Sequence, residues 1–233
     1  MNEKTKGVRT ILFDMDGTLV DTEPAAAQAI REAFLDWNIQ IAKADSHYVT
    51  GRTWAVAFDY LFKKYKIPVS REEASTKITS LYRERLETDL AIVPGSVDAV
   101  RSLVGHFQLA LVSGSHRSEI IWAMKKVGLL DCFEVILGAE DYPKSKPAPD
   151  GYLKAMKLFK AEATSTMVFE DSEAGIASAR AAGLFVVAIT STNHFGHDTK
   201  SANLHISDLT TVDRQWVLDL GELALVKKSG TLE

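Results

Sequence analysis

The chain has 233 residues, 46% apolar and 25% charged, the balance of a soluble globular protein of one or two domains. Its formal net charge is −4, which leaves no basic surplus to neutralise a nucleic-acid backbone. Cys132 is the only cysteine; a disulfide framework and a cysteine-built zinc site are excluded, and one unpaired thiol fits a reducing compartment.

Met1–Thr10 is charged, and the apolar run behind it is too short for a signal peptide. No stretch approaches the about 20 apolar residues of a membrane span. A cytoplasmic protein without a membrane partner is expected. The first strand is predicted at Val8–Phe13. From Thr22 to about Ala91 the pattern is helical, with amphipathic stretches at Ala25–Trp37, Trp54–Tyr65 and Glu72–Glu87. Pro24 suits a first helical turn, and Pro68 ends the second stretch. A crossover between parallel strands needs only about a dozen residues. The excess is read as a helical domain, 22–91, inserted into a sheet domain made of 1–21 and 92–233.

The sheet resumes after the turn Val93-Pro94-Gly95. Further strands are predicted at Leu109–Val112, Val135–Leu137, Met167–Phe169, Phe185–Ile189 and Leu204–Ile206. They are nearly continuous in apolar character, as strands covered on both faces are. Helical spacing separates them: Ile120, Ile121, Met124 and Val127, then Ile176, Ala179 and Ala182, with Gly183 as a C-terminal stop. The expected fold class is α/β, a doubly wound parallel sheet with a small helical insertion.

Polar residues gather behind these strands. Asp14-Met15-Asp16-Gly17-Thr18 follows the first, Ser113-Gly114-Ser115 the second, a loop ending Lys144-Ser145-Lys146-Pro147 the third, and Glu170-Asp171-Ser172 the fourth. Ligands of open α/β sheets sit outside the carboxyl ends of the strands. Asp14 and Asp16, two apart on an extended backbone, point to one side. Two carboxylates about 4 Å apart repel by about 4 kcal/mol at an effective dielectric near 20. With Glu170 and Asp171 beside them they need a cation or a shifted pKa, and a hard cation with oxygen ligands, Mg²⁺, fits. Ser113, Gly114 and Ser115 at a helix start suit a phosphate, although a serine there also serves as a plain cap. Lys146, stiffened by Pro147, is preferred over Lys144 as the balancing cation.

These four motifs, extended by Lys146-Pro147-Ala148-Pro149-Asp150 and Glu170-Asp171-Ser172-Glu173-Ala174-Gly175, resemble the ordered motifs of the haloacid dehalogenase (HAD) superfamily across about residues 8–215. The helical insertion resembles the cap of the subgroup with β-phosphoglucomutase and phosphoglycolate phosphatase. The resemblance implies a Rossmann-like core and an aspartyl-phosphate nucleophile, Asp14. It implies Asp16 as general acid and base, and Ser113 and Lys146 on the phosphoryl oxygens. It also implies Mg²⁺ held by Asp14, the Asp16 carbonyl and Asp171, with Glu170 as ligand or support.

Three departures narrow the activity. Ala26 stands where the mutases carry a histidine. The cap loop Val49-Thr50-Gly51-Arg52-Thr53-Trp54 lacks the lysine of phosphonatases. Asp16 is present where dehalogenases have no aspartate. The expectation is a Mg²⁺-dependent phosphatase of a small phosphorylated metabolite, most simply a sugar phosphate. The alternatives are a phosphomutase and a non-catalytic phosphometabolite-binding protein. Gly51, Arg52 and Trp54 are candidate substrate-binding residues in the cap, and Gly114, Ser115, His116 and Arg117 at the phosphate seat. Trp54 reads more simply as cap packing, and His116 and Arg117 as solvated first-turn residues. His194 and His197 read as a polar loop near the site rather than a metal pair, and Lys227 and Lys228 as part of a frayed tail. A monomer is expected, with a dimer as the alternative.

Overall fold

The computed structural model describes residues 7–49, 54–194 and 196–229. In chain order the elements are β1 (Thr10–Phe13), β2 (Val20–Asp21), α1 (Glu23–Asp36), α2 (Lys43–Val49), α3 (Trp54–Lys64) and α4 (Arg71–Thr88). There follow β3 (Ala91–Ile92), α5 (Ser96–Leu103), β4 (Gln108–Val112), α6 (Arg117–Lys126), β5 (Val135–Leu137) and α7 (Asp150–Phe159). The last are β6 (Thr166–Glu170), α8 (Glu173–Ala181), β7 (Phe185–Ile189), β8 (Leu204–Ile206) and α9 (Arg214–Ser229).

Six strands form one sheet in the order β5-β4-β1-β6-β7-β8, every pair parallel. The chain winds outward from β1 first through β4 and β5, then through β6, β7 and β8. This is the expected doubly wound α/β sheet. Its strands are apolar throughout because both faces are covered. Leu12, Ala110, Val112, Val168, Val186 and Ala188 face a cluster with Tyr152 and Ala155 of α7 and Ile176 and Ala179 of α8. The alternate residues face the other way, where Phe13 stacks on Phe169 at 5.0 Å and Phe169 meets Trp216 of α9. Burying a phenylalanine of this kind contributes about 1.5–3 kcal/mol. One periodicity differs: Ile121 of α6 is exposed, while Ile120 and Met124 are buried.

The chain divides into two compact units. The sheet unit takes the chain up to Val20, then Ile92–Asn193 and the chain from His197; the helical unit takes Asp21–Ala91 with His194 and Gly196. The helical unit packs Ala29, Ile30, Ala33 and Phe34 of α1 against Phe58 and Leu61 of α3 and Ile78 of α4. Pro24 lies in the first turn of α1, and Ser70 with Glu73 closes a capping box on α4. Helix α2 lies in a stretch with no predicted element; buried Asp45 holds it, accepting from Tyr60 at 2.6 Å, Lys64 at 2.5 Å and Tyr65. These donors hold the Asp45 carboxyl down at about 2. Among the described residues no helix is long and apolar enough to cross a membrane.

Candidate active site

The carboxyl ends of the three central strands, β4, β1 and β6, bring the polar motifs together. Asp14 directly follows β1, is nearly buried, and donates its backbone N–H to the Phe169 carbonyl at 3.0 Å. Lys146 reaches it from the loop before α7. Its ammonium meets Asp14 Oδ1 at 2.5 Å, Glu170 Oε1 at 2.6 Å and the Val112 carbonyl at 3.1 Å. All three lysine protons therefore have acceptors. Lys144 is exposed.

Asp14, Glu170 and Asp171 form a buried cluster whose carboxylate oxygens lie within 4.8 Å of one another. Three carboxylates against one ammonium leave two negative charges, the complement of a divalent cation. Burial is the main cause that pushes Asp14 up to about 8; Glu170 and Asp16 add to it, and Lys146 opposes it. Burial also opposes the charge on Lys146, but Asp14 and Glu170 outweigh it and hold the ammonium well above its ordinary range. A cluster short of positive charge holds protons in both cases.

Backbone geometry makes room for this cluster. Gly17 turns the chain with φ +81°, and a Cβ there would lie 2.1 Å from Asp171 Oδ2. A Cβ on Gly175, in the first turn of α8, would lie 1.7 Å from Glu170 Oε1. Thr18 donates to Asp171 Oδ1 at 3.2 Å, and the buried hydroxyl of Thr192 donates to the Gly17 carbonyl at 2.6 Å. Glu170 accepts on both oxygens: Oε1 from Lys146 and Tyr152, Oε2 from the N–H groups of Asp171 and Ser172 and the Ser172 hydroxyl.

Asp16 faces the end of β4. Its Oδ2 accepts from the Ser115 hydroxyl at 2.8 Å and the wholly buried Ser113 hydroxyl at 3.2 Å. Ser113 Oγ in turn accepts the Ser115 N–H at 3.0 Å, and the Tyr142 phenol donates to the Ser113 carbonyl at 2.7 Å. Nothing lies within 4 Å of where a Cβ on Gly114 would stand.

Asp14, Lys146, Glu170 and Asp171 are thus joined by hydrogen bonds in one group, and Asp16, Ser113 and Ser115 in a second at the end of β4. His116 and Arg117 stand apart from both. The His116 ring lies 3.5 Å from Glu140, and Arg117 donates to the Ile136 carbonyl and faces Asp141 at 3.3 Å. The His116 N–H goes to Glu119 and the Arg117 N–H to Glu140. Carboxylates therefore already occupy the start of α6. In the helical unit, Trp54 packs on Phe58 at 5.8 Å and Tyr82 at 5.4 Å. Gly51 and Arg52 lie outside the described residues. His194 meets Asp21 at 2.7 Å, while the His197 N–H closes a turn on Asn193. The supporting roles of Tyr142, Tyr152 and Thr192 had no sequence signal; Thr18 sits inside a motif that marked it.

The haloacid dehalogenase-like hydrolase model matches residues 11–189. A bifunctional riboflavin kinase/FMN phosphatase of Arabidopsis thaliana is 29% identical over 87% of the chain, which spans only 54% of that protein's length. A fructose-1-phosphate phosphatase of Escherichia coli is 30% identical over 77% of the chain and 95% of its own length. The crystal structure of a β-phosphoglucomutase from Clostridium difficile superposes with a TM-score of 0.77 at 21% identity, over 94% of this chain and 99% of that one.

Proposed function

The chain belongs to the haloacid dehalogenase-like hydrolases and is a phosphoric monoester hydrolase of that family; on that premise we propose that it is a Mg²⁺-dependent phosphatase of a small sugar phosphate, working through an aspartyl-phosphate. The observation that carries the reading is the buried Asp14–Lys146–Glu170–Asp171 cluster at the ends of the central strands. The relative named as a fructose-1-phosphate phosphatase supports the substrate class.

The donor set fits the metal. It is all oxygen, carries two uncompensated negative charges, and is shaped by Gly17 and Gly175, where a Cβ would collide with the carboxylates. Asp14, Asp171 and the Asp16 carbonyl would hold Mg²⁺, with Glu170 held beside them by its own donors. When bound, the ion supplies positive charge that screens Asp14 from the phosphate dianion.

Asp14 attacks phosphorus; its new P–O bond forms as the bond to the alcohol oxygen breaks. Asp16 donates a proton to that leaving oxygen and later takes one from the water that attacks the aspartyl-phosphate. Phosphate leaves and the Asp14 carboxylate returns. Lys146 fixes Asp14 and neutralises charge on the transferring group. Ser113 and Ser115 orient Asp16, and their hydroxyls and the bare backbone at Gly114 offer the phosphoryl oxygens their contacts. The helical insertion 22–91, with Gly51, Arg52 and Trp54, is the part proposed to select the alcohol.

Phosphate release tests this on a panel of hexose 1- and 6-phosphates, phosphoglycolate, glycerol phosphate and nucleoside monophosphates, with Mg²⁺ and with excess EDTA. Metal-dependent release, best on a sugar phosphate, is expected. Silence on the panel, or glucose phosphate interconversion only after a bisphosphate is added, would overturn the phosphatase reading.

A further inference from the structure

Tyr152 is the largest wholly buried side chain of the described residues, and no step of the reaction above uses it. Its phenol donates to Glu170 Oε1 at 2.8 Å, and the Lys146 ammonium donates to the same oxygen at 2.6 Å. The ammonium also lies 5.1 Å from the centre of the Tyr152 ring, close enough for cation–π attraction. One side chain thus supports the lysine twice, through a shared acceptor and through its ring face.

Lys146 needs such support. A lysine side chain has large rotamer freedom, which must be given up to hold the ammonium at one point. Asp14 and the Val112 carbonyl fix it from two sides, and Glu170 from the third. Glu170 is itself fixed at Oε2 by the start of α8. At Oε1 its partners are the reacting lysine and the phenol. A phenylalanine would fill the same apolar space among α7, α8 and the sheet. A hydroxyl sealed away from water is destabilising unless it is paired, and its partner here is the carboxylate beside the nucleophile.

We propose that Tyr152 is a positioning residue for the reaction: its hydroxyl and ring hold the Glu170 carboxylate and, through it, the Lys146 ammonium against Asp14. What Lys146 then does rests on the phosphatase reading; that Tyr152 places it does not.

The test is Tyr152→Phe, which keeps the ring and its volume, with Glu170→Gln as a second variant that keeps the acceptor's shape. Three quantities are read: kcat and KM for phosphate release, the melting temperature, and the ¹⁵N resonance of the Lys146 ammonium, assigned by its loss in Lys146→Arg. For Tyr152→Phe we expect kcat to fall about tenfold with KM within about twofold, as when a supporting contact behind a reacting group is lost. The ammonium resonance should shift or broaden, and Glu170→Gln should do the same. A lower melting temperature with kcat and the resonance unchanged would overturn the proposal and leave Tyr152 as core filler. So would a rise in KM with kcat intact. A wild-type protein that releases no phosphate, but whose Lys146 resonance responds to Tyr152→Phe, would sink the phosphatase reading and leave the positioning contact standing.

Discussion

Gly17→Ala should weaken the binding of the proposed Mg²⁺. Gly17 sits at φ +81°, where an L-residue costs about 1–2 kcal/mol. The larger effect is steric. The new methyl would stand 2.1 Å from Asp171 Oδ2, 2.4 Å from Cγ and 2.9 Å from Oδ1. Ordinary carbon contacts need about 3.5–4 Å. Asp171 must move by more than an ångström or the turn must open, and Thr18 and Thr192 hold both in place. Loss of a group that holds a metal ligand in place costs about 10–100-fold in affinity, and a loss of about 100-fold is expected here. With Mg²⁺ at 100 times its dissociation constant, the wild type gains about 2.7 kcal/mol. In a chain of this size that raises the melting temperature by about 5–11 °C. At the same concentration Gly17→Ala gains about 0.4 kcal/mol, a shift of about 1 °C. Scanning calorimetry across a Mg²⁺ titration, run beside phosphate release, reads both. A variant that keeps the wild-type rise in melting temperature and the wild-type rate would refute the assignment of Asp171 as a ligand and of Gly17 as its cradle.

Asp14→Asn should abolish phosphate release while the protein stays folded; unchanged release would show that Asp14 is not the nucleophile. In EDTA, the raised pKa of Asp14, about 8, makes stability fall as pH rises from about 4 towards 8, because the folded state holds the extra proton. Melting temperatures across that range should slope downward in the wild type and less steeply in Asp14→Asn. Ser113→Ala removes a donor to Asp16, and kcat/KM should drop about 100-fold, with a smaller loss for Ser115→Ala; near-equal rates would remove the Ser113 hydroxyl from the mechanism. Asp45, held at about 2 by Lys64, Tyr60 and Tyr65, stabilises the helical unit above about pH 4 and loses that contribution as pH falls towards 2. Asp45→Asn should melt earlier at neutral pH and lose that acid transition, as followed by circular dichroism.

The sheet was legible because its signals are local. Val135–Leu137, Phe185–Ile189 and Leu204–Ile206 appear at their predicted bounds; β1 begins two residues later than predicted, at Thr10, and β4 and β6 are longer where polar Gln108, Thr166 and Glu170 join an apolar run. The residues of the two hydrogen-bonded groups were legible for the same reason, since parallel strands present their carboxyl ends to one side. Less was visible wherever distant contacts decide. Helix α2 has no strong pattern of its own and is anchored by Tyr60, Lys64 and Tyr65, some fifteen to twenty residues onward. The carboxylates at the start of α6 come from Glu119 within it and from Glu140, 23 residues beyond Arg117. A buried tyrosine such as Tyr142 or Tyr152 reads in sequence as an ordinary core aromatic, because its single polar atom leaves no periodic trace.

Strand order also sets a timetable for synthesis. β1 lies at the centre of the sheet, and its two neighbours pair Thr10 with Gln108 and with Thr166. At about 5–20 residues per second, the ribosome takes about 8–30 s to travel from Thr10 to Thr166. Through that interval the buried tetrapeptide Thr-Ile-Leu-Phe has been made but lacks its second flank. The helical unit, encoded between β1 and β4, finds its partners within a much shorter stretch of chain. The inserted helices can therefore be complete before the site at the strand ends, which cannot close until Thr166–Glu170 and Asp171 have emerged.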